Sequence, residues 1–214
     1  MLMSMADIEI EVLTEPLYWK AFEVVTDIFV NHSTLHVALG ALLNDYRAYL
    51  EPSFFYAVRE GMSLVAIDRS SNTIAGLLVG HDLFKLNSQN LIPFQEKYAP
   101  IGALGKKLEE IYLKQRNVTA GEVLLVDMAA IAPAYIGQGL YLQMRKAISD
   151  HARQCGFRYV IGELSSPATQ KVVLETLCHT ACAIVGLADF EHEGKRPFAT
   201  ISKPSSIILT EEIL

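Results

Sequence analysis

The sequence is poor in cysteine and lacks any cysteine pair with the spacing of a metal or redox motif. Its 214 residues include Cys155, Cys178 and Cys182 and no C-x-x-C pair. This argues against a zinc site of the usual kinds, and the histidines show no ligand spacing either, so we predict no metal site. A low, odd cysteine count in a chain of this length is typical of a reducing compartment, and we expect a cytoplasmic protein.

Long apolar runs and an excess of positive charge are also missing. No uncharged apolar stretch is long enough to cross a bilayer, and acidic residues near the amino terminus replace the basic-then-apolar pattern of a signal peptide. The net charge of -6 disfavours a nucleic-acid partner and suits a cationic substrate such as an amine. We expect neither a membrane nor a nucleic-acid partner, and a monomer or homodimer.

What the sequence does contain is enough apolar material for a buried core. Hydrophobic residues make up 51% of the chain and charged residues 20%, so one globular domain over residues 1–214 is expected. Hydrophobic periodicity and breakers then give the elements. Predicted strands cover 8–13, 62–67, 73–79, 123–131, 158–162, 182–188 and 207–209; predicted helices cover 17–29, 34–50, 101–111, 140–155 and 169–177.

Particular breakers and connections refine that pattern. Pro52 is predicted to end the second helix, and Pro93 and Pro100 interrupt the region that follows the first hairpin. Cys155 falls on the apolar face of the helix over 140–155 and is predicted to lie in the core. The strand–helix–strand order over 123–162 predicts a right-handed crossover and a parallel strand pair. The fold class is therefore α/β, a mixed sheet flanked by helices.

The most informative segment runs from Val123 to Leu140. An apolar run, a proline and the loop Gly137-Gln138-Gly139 lead directly into a helical pattern. Such a junction points backbone N–H groups and the positive end of a helix dipole at one spot, which favours a phosphate or pyrophosphate. The third glycine of a dinucleotide fingerprint and the Gly-Lys-Ser/Thr of a P-loop are absent.

The stretch Pro133-Ala134-Tyr135-Ile136-Gly137-Gln138-Gly139-Leu140 resembles motif A of the GNAT superfamily of N-acetyltransferases. It departs from the usual pattern at Ile136, where the family has Arg or Gln, and at Tyr141, where it has Gly or Ala. The resemblance implies the GNAT fold, with acetyl-CoA as co-substrate. It implies that the pyrophosphate lies on Ile136, Gly137, Gln138, Gly139, Leu140, Tyr141 and Leu142, and the pantetheine arm along Ala129, Ala130 and Ile131.

Further stretches are similar to the arylalkylamine N-acetyltransferases of the insect and nematode type. These are the hairpin over 62–76, the tail over 188–204 and the run Ser165-Ser166-Pro167. That group's Glu-Pro-Leu step appears here as Ser33-Thr34-Leu35, so its glutamate base is absent. The resemblance implies acetyl transfer from acetyl-CoA to a small primary amine, arylalkylamine-like or polyamine-like. Two alternatives stay open: a catalytically silent acyl-CoA-binding regulatory module, and a peptide or protein N-acetyltransferase.

Asp127 is the first candidate for the general base. It interrupts an apolar strand, where a carboxylate is costly without a partner, and burial would raise its pKa. Strict strand alternation predicts that it shares a face with Ala129 and Ile131, at the acyl end of the site. The alternative is a structural ion pair or hydrogen bond to a neighbouring loop.

Other candidates for the chemistry come from the helical region and the loops. His32 and His36 flank the position of the absent glutamate and are candidates to replace it, although helix histidines more often pack or face solvent. Ser165 and Thr169 match the paired serines that shape the amine pocket, while a helix N-cap explains the same run equally well. Tyr135 and Tyr141 are candidates to protonate the leaving sulfur, with simple packing as the alternative.

Overall fold

A seven-stranded sheet with helices on both faces organises the structure. The computed structural model describes residues 7–85 and 96–214. The strands are β1 (Ile8–Val12), β2 (Leu64–Asp68), β3 (Thr73–Asp82), β4 (Val123–Ile131), β5 (Tyr159–Leu164), β6 (Thr180–Gly186) and β7 (Ser206–Ile213). The helices are α1 (Tyr18–His32), α2 (Thr34–Ala38), α3 (Leu43–Arg59), α4 (Ala99–Leu113), α5 (Leu140–Gln154) and α6 (Pro167–Gln170), which a π-helical segment continues over Lys171–Thr176.

The strand order is β1-β2-β3-β4-β5-β7-β6, and the pairing of β4 with β5 is parallel while every other pairing in this sheet is antiparallel. Helix α5 connects the parallel pair, as the strand–helix–strand pattern predicted. The predicted β2–β3 hairpin and the mixed α/β sheet are confirmed.

The two parallel strands separate partway along their length. Pairing runs from Val123 opposite Tyr159 to Val126 opposite Gly162 and then stops, although β4 continues to Ile131. Beyond the fork, β5 keeps its antiparallel pairing with β7. No described residue pairs with β4 on its β5 side after Val126, so this edge of β4 is open.

A β-bulge at Asp127 changes the alternation of β4. Val79 lies opposite Met128 and Gly80 opposite Val126, which leaves Asp127 as the extra residue. After the bulge, Met128 packs in the core beneath α1 and α3, while Ala129 packs in the core beneath α5. The prediction that Asp127 shares a face with Ala129 and Ile131 is therefore wrong, because strict alternation does not survive an inserted residue.

The core has one layer on each side of the sheet. On one side, α1, α3 and α4 bury aromatic and aliphatic residues, among them Phe22, Phe54 and Leu108. On the other side, α5 buries Met144 and Ile148 against the same sheet. Burying these side chains supplies most of the favourable free energy of folding, at about 25 cal/mol per Å². The same two layers also hold the separated ends of β4 and β5 in place.

Two predictions about helix boundaries and one about burial need correction. Pro52 lies inside α3 and does not end it; buried residues before and after it, such as Leu50 and Phe54, keep the helix against the core. The break comes instead at Gly40, whose φ of +62° ends α2 in the left-handed region. Cys155 is exposed rather than buried, because it follows the last turn of α5. Pro93 lies outside the described residues.

Candidate active site

The loop between β4 and α5 presents a row of unsatisfied backbone donors. Gly137 and Gly139 have φ of +79° and +80°, a conformation that favours glycine. None of the backbone N–H groups from Gly137 to Leu142 donates a hydrogen bond within the described residues. They lie at the N-terminus of a 15-residue helix, where the dipole adds positive potential. This loop has the chemistry of an anion-binding site.

The side chains around this loop hold its shape and leave the backbone to face a ligand. Gln138 donates from Nε2 to the Ala134 carbonyl at 2.8 Å. Tyr135 donates to Asp68 at 2.7 Å, so its hydroxyl serves packing rather than a sulfur. Leu140 is buried in the core, whereas Ile136 is 67% exposed and offers no charge to a phosphate. The groups that this loop offers to an anion are therefore its backbone N–H groups.

A cavity of about 740 Å³ lies between the helical layer and the forked strands. Its lining comes from α1, α2, α3, α4, β3, β4, β5, β7 and the segment after β5, and it also reaches Tyr141 in the first turn of α5. Carboxylates dominate its charge: the described lining carries Glu109, Glu110, Asp127 and Glu163 against one lysine, Lys106. Such a cavity favours a cationic ligand.

Asp127 lies on the floor of this cavity, at the bulge. It makes no hydrogen bond or ion pair with the described residues. Burial raises the pKa of its carboxyl, and the nearby His81 opposes that rise. A buried carboxylate without a partner contributes little to stability and is a good proton acceptor. The structural ion pair considered as the alternative role for Asp127 is not formed with any described residue.

Glu163 is a second carboxylate on the same floor, which the sequence reasoning missed. It follows Gly162 on β5 as Asp127 follows Val126 on β4, so the two occupy equivalent steps just past the fork. Burial, then the charge of Asp127, then that of Glu109, raise the pKa of Glu163 to about 8. Repulsion between the two carboxylates favours a state in which one of them is protonated. The signal available beforehand was the parallel register of two strands ending in acidic residues.

His81 completes a row of polar groups across three neighbouring strands. It lies opposite Leu125, on the same face of the sheet as the cavity, and is 2% exposed. Its Nδ1 lies 3.0 Å from the Asp82 carbonyl oxygen, which can only accept, so Nδ1 carries the proton. Nε2 is buried and has no partner in the described part of the chain. The spacing of the histidines in the sequence does not single out His81.

The remaining predicted catalytic residues lie around the cavity wall. His32 is exposed and contributes to the rim, while His36 is buried against Phe29 and Tyr46, which lowers its pKa to about 4 and keeps it neutral. Ser165 lines the cavity with no hydrogen bond to the described residues. Thr169 also lines it, but forms a capping box with Ser166.

Within residues 7–85 and 96–214, no group of three or more His, Cys, Asp or Glu side chains has the arrangement of a metal site. The same residues contain no helix that is both long and apolar enough to cross a membrane.

Comparison with solved structures connects this geometry to known proteins. The C-terminal condensation domain of Ebony, solved in complex with beta-alanyl-dopamine, superimposes with a TM-score of 0.86 at 17% identity over 97% of this chain and 99% of that chain. A mosquito arylalkylamine N-acetyltransferase-like protein, 5b, gives 0.82 at 18% identity over 97% and 100%. The polyamine N-acetyltransferase of Drosophila melanogaster gives 0.72 at 14% identity over 97% and 100%.

The chain has the GNAT N-acetyltransferase fold. The predicted resemblance to the insect arylalkylamine N-acetyltransferases is confirmed at the level of the fold. No protein-family model matches the sequence, and no curated protein matches it. The GNAT fold therefore emerges here from the structure and the short motif around Gly137.

Proposed function

We propose that this protein transfers an acetyl group from acetyl-CoA to a small primary amine. One observation carries the proposal: the open edge of β4 runs from the loop of free N–H groups to the unpartnered carboxylate of Asp127. An acyl donor with an anionic end and an extended arm fits this path. The names of the neighbours, an arylalkylamine N-acetyltransferase-like protein and a polyamine N-acetyltransferase, support the same reaction class.

The residues present fit coenzyme A. Its pyrophosphate would accept from the backbone N–H groups of Gly137 to Leu142, and the two left-handed glycines keep side chains off that surface. The pantetheine arm would lie along the unpaired edge of β4 at Ala129, Ala130 and Ile131, in the manner of an added strand. Acetyl-CoA supplies an acetyl group activated as a thioester.

The cavity supplies the other half of the reaction. A protonated amine enters a lining in which carboxylates outnumber the lysine, and its N–H groups find the acceptors Asp127 and Glu163 on the floor. The amine nitrogen must lose a proton before it can attack a carbonyl. Asp127, whose pKa burial raises, takes that proton. Ser165 has its hydroxyl available to position the amine.

The test is release of free CoA, followed with a thiol reagent, over tryptamine, tyramine, spermidine and a lysine-containing peptide. Release with one of the three small amines supports the proposal. Release with the peptide alone would replace it with a peptide N-acetyltransferase. Binding of acetyl-CoA in calorimetry without release would replace it with a silent acyl-CoA-binding module, and absence of binding would overturn it.

Asp127→Asn tests the assignment of the base. The amide keeps the shape of the side chain but cannot take the proton, so we expect turnover to fall by about 100-fold or more with little change in acetyl-CoA affinity. Asp189→Asn, at an exposed position away from the cavity, is the control. Turnover in Asp127→Asn equal to that of the control across the pH range would remove Asp127 from the mechanism.

A further inference from the structure

Asp68 is a buried carboxylate without a basic partner. It is the last residue of β2, and only 2% of its surface is exposed. It forms no ion pair with any residue over 7–85 and 96–214. Burying a carboxylate costs free energy unless hydrogen bonds replace the water that it loses. The donors around Asp68 therefore decide whether this side chain can stay ionised.

Four donors surround the Asp68 carboxylate, three from the turn after β2 and one from the connection between β4 and α5. Oδ1 accepts from the backbone N–H of Ser70 at 2.9 Å, from the Ser70 hydroxyl at 2.6 Å and from the N–H of Ser71 at 3.3 Å. Oδ2 accepts from the Tyr135 hydroxyl at 2.7 Å. The bonds from Ser70 and Tyr135 hold the pKa of Asp68 well below its usual range. The bond between Tyr135 and Asp68 is therefore charge-assisted, which makes it stronger than a bond between neutral groups.

Thr73 holds the other side of the Tyr135 hydroxyl. Its Oγ1 lies 3.2 Å from the Tyr135 oxygen and 2.8 Å from the Ser71 hydroxyl. An ionised carboxylate only accepts, so the Tyr135 proton points to Asp68 and Thr73 donates to the Tyr135 oxygen. Asp68 and Thr73 lie opposite each other at the end of the β2–β3 hairpin. This hairpin thus fixes the phenol from two paired residues.

Tyr135 lies at the entrance to the loop of free N–H groups. It ends the short 3-10 turn Pro133–Tyr135, is 6% exposed and packs in the core beneath α5. The next buried side chain along the chain is that of Leu140, at the start of α5. Two side chains therefore attach the loop to the fold: Leu140 through apolar contacts, and Tyr135 through a hydrogen bond that also fixes direction.

An anion site made of backbone N–H groups depends on where those groups point. The loop contains Gly137 and Gly139 in the left-handed region, and glycine has more conformations to lose than any other residue. A ligand that has to order such a loop binds more weakly, because part of its binding free energy goes into that ordering. Fixing the residue before the loop reduces this cost before the ligand arrives.

We propose that Asp68 and Tyr135 are positioning residues that hold the loop from Gly137 to Leu142 in the conformation that binds the pyrophosphate of CoA. This inference rests on the proposed function. The hydroxyl of Tyr135 points to Asp68, and β3 separates β2 from β4, so both residues act through the backbone of the loop. The β2–β3 turn, 67 residues earlier in the chain, then contributes to the affinity for the co-substrate.

The first test compares two tyrosines that each donate to a buried carboxylate. Tyr112 of α4 donates to Glu211 Oε2 at 2.9 Å and lies outside the cavity lining. Tyr135→Phe and Tyr112→Phe each keep the ring and lose one bond of this kind. We expect CoA to bind about tenfold more weakly to Tyr135→Phe in calorimetry, and to bind Tyr112→Phe within about twofold of the wild type. Melting temperatures should fall by similar amounts in the two variants.

Steady-state kinetics give a readout that a general loss of stability would not move. In Tyr135→Phe the KM for acetyl-CoA should rise about tenfold, while kcat and the KM for the amine stay nearly unchanged. The same split should be absent in Tyr112→Phe.

The second test asks whether Asp68 acts through Tyr135. Asp68→Ala should weaken CoA binding as much as Tyr135→Phe, and the double variant should lose no more than either, because both changes remove the same bond. Asp68→Asn keeps an acceptor for the turn and an N–H for the phenol oxygen, so it should retain most of the affinity. Additive losses in the double variant would overturn the connection through Asp68.

The outcomes separate this inference from the proposed function. Equal CoA affinity in the wild type and both tyrosine variants would overturn the positioning role and leave the acetyltransferase standing. Equal weakening in Tyr135→Phe and Tyr112→Phe would also overturn it, because a general loss of stability would explain both. A wild type that binds no CoA would overturn the proposed function and, with it, this inference. A wild type that binds CoA but acetylates no amine would overturn only the transfer, and the calorimetric comparison would still decide the role of Tyr135.

Discussion

The carboxylate of Glu163 lies directly against the backbone of Gly105: a Cβ at position 105 would stand 3.1 Å from Oε1 and 3.6 Å from Oε2. A glycine in the middle of a helix costs about 1 kcal/mol relative to alanine. In α4, the absence of a side chain at Gly105 lets the helix pack directly against the Glu163 carboxylate on the cavity floor. The relationship distinguishes Gly105 from the other glycine of the same helix, Gly102, which has open space around it.

Gly105→Ala and Gly102→Ala therefore form a matched pair. Both gain helix propensity, but only the methyl group at 105 displaces the Glu163 carboxylate. Gly102 also lines the cavity, but a Cβ there would meet no atom. We expect Gly102→Ala to raise the free energy of unfolding by about 0.5–1 kcal/mol with a smaller change in kcat/KM than Gly105→Ala. Gly105→Ala should show less stabilisation and a several-fold loss in kcat/KM for the amine. Identical kinetics in the two variants, measured beside urea denaturation, would show that the contact has no role in amine binding.

Glu163 should make stability depend on pH. Its pKa is raised from 4.5 to about 8 in the folded protein, so between these values the folded state holds a proton that the unfolded state has lost. The unfolded state then binds fewer protons, and stability falls as pH rises through this window, by on the order of 3–5 kcal/mol in total. Below pH 4.5 the carboxyl is neutral in both states and this contribution to the slope is absent.

Glu163→Gln removes that titration. We expect its melting temperature to match the wild type near pH 4.5 and to exceed it by several degrees at pH 8.5, in circular dichroism melts across the range. Glu175→Gln, at an exposed position on the helix after β5, should follow the wild type throughout. A constant difference between Glu163→Gln and the wild type at every pH would contradict the raised pKa.

Gly139 should be needed for CoA affinity through its backbone conformation. Its φ of +80° is one that alanine adopts at a cost of about 1–2 kcal/mol, and relief of that strain turns the N–H groups of the loop away from the anion. We expect Gly139→Ala to weaken CoA binding about tenfold or more in calorimetry. Gly194→Ala, at φ of +72° and equally open space, should lose similar stability and keep its affinity. Equal affinities would leave the loop without a role in binding.

Ser165 and Thr169 should separate into a substrate contact and a helix cap. Thr169 shares a capping box with Ser166, so Thr169→Val should lower stability by about 1 kcal/mol with a small effect on KM. Ser165→Ala removes a hydroxyl that faces the cavity and should raise the KM for the amine several-fold at constant melting temperature. The reverse pattern would exchange the two roles.

The sequence predicted the parts of the fold that depend on local chemistry. Proline and the glycines around Gly137 mark the β4–α5 junction, and alternating or helical periodicity located each strand and most helices. Pro52 misled because its local effect is weaker than the burial of Leu50 and Phe54 on either side. The candidate base Asp127 was found because a carboxylate in an apolar strand is conspicuous.

The rest of the site depends on relationships between distant segments. Glu163 becomes significant only once β4 and β5 are paired in register, since that register places it beside Asp127. The bulge at Asp127 inserts one residue and exchanges the faces of everything after it, which no periodicity rule over a single strand can show. Arg145 lies on the predicted helix over 140–155, and only the structure shows that it is buried beside Gly162.

The open edge of β4 also has a thermodynamic consequence. A ligand that pairs with Ala129 to Ile131 completes the sheet as an additional strand, and it binds only the folded chain. The free energy of binding therefore adds to the stability of the folded state. A ligand present at 100 times its dissociation constant adds about 2.7 kcal/mol to the free energy of unfolding. The population of the unfolded chain would then fall about 100-fold, so a bound ligand of this kind would protect the protein from any process that acts on the unfolded chain, such as proteolysis.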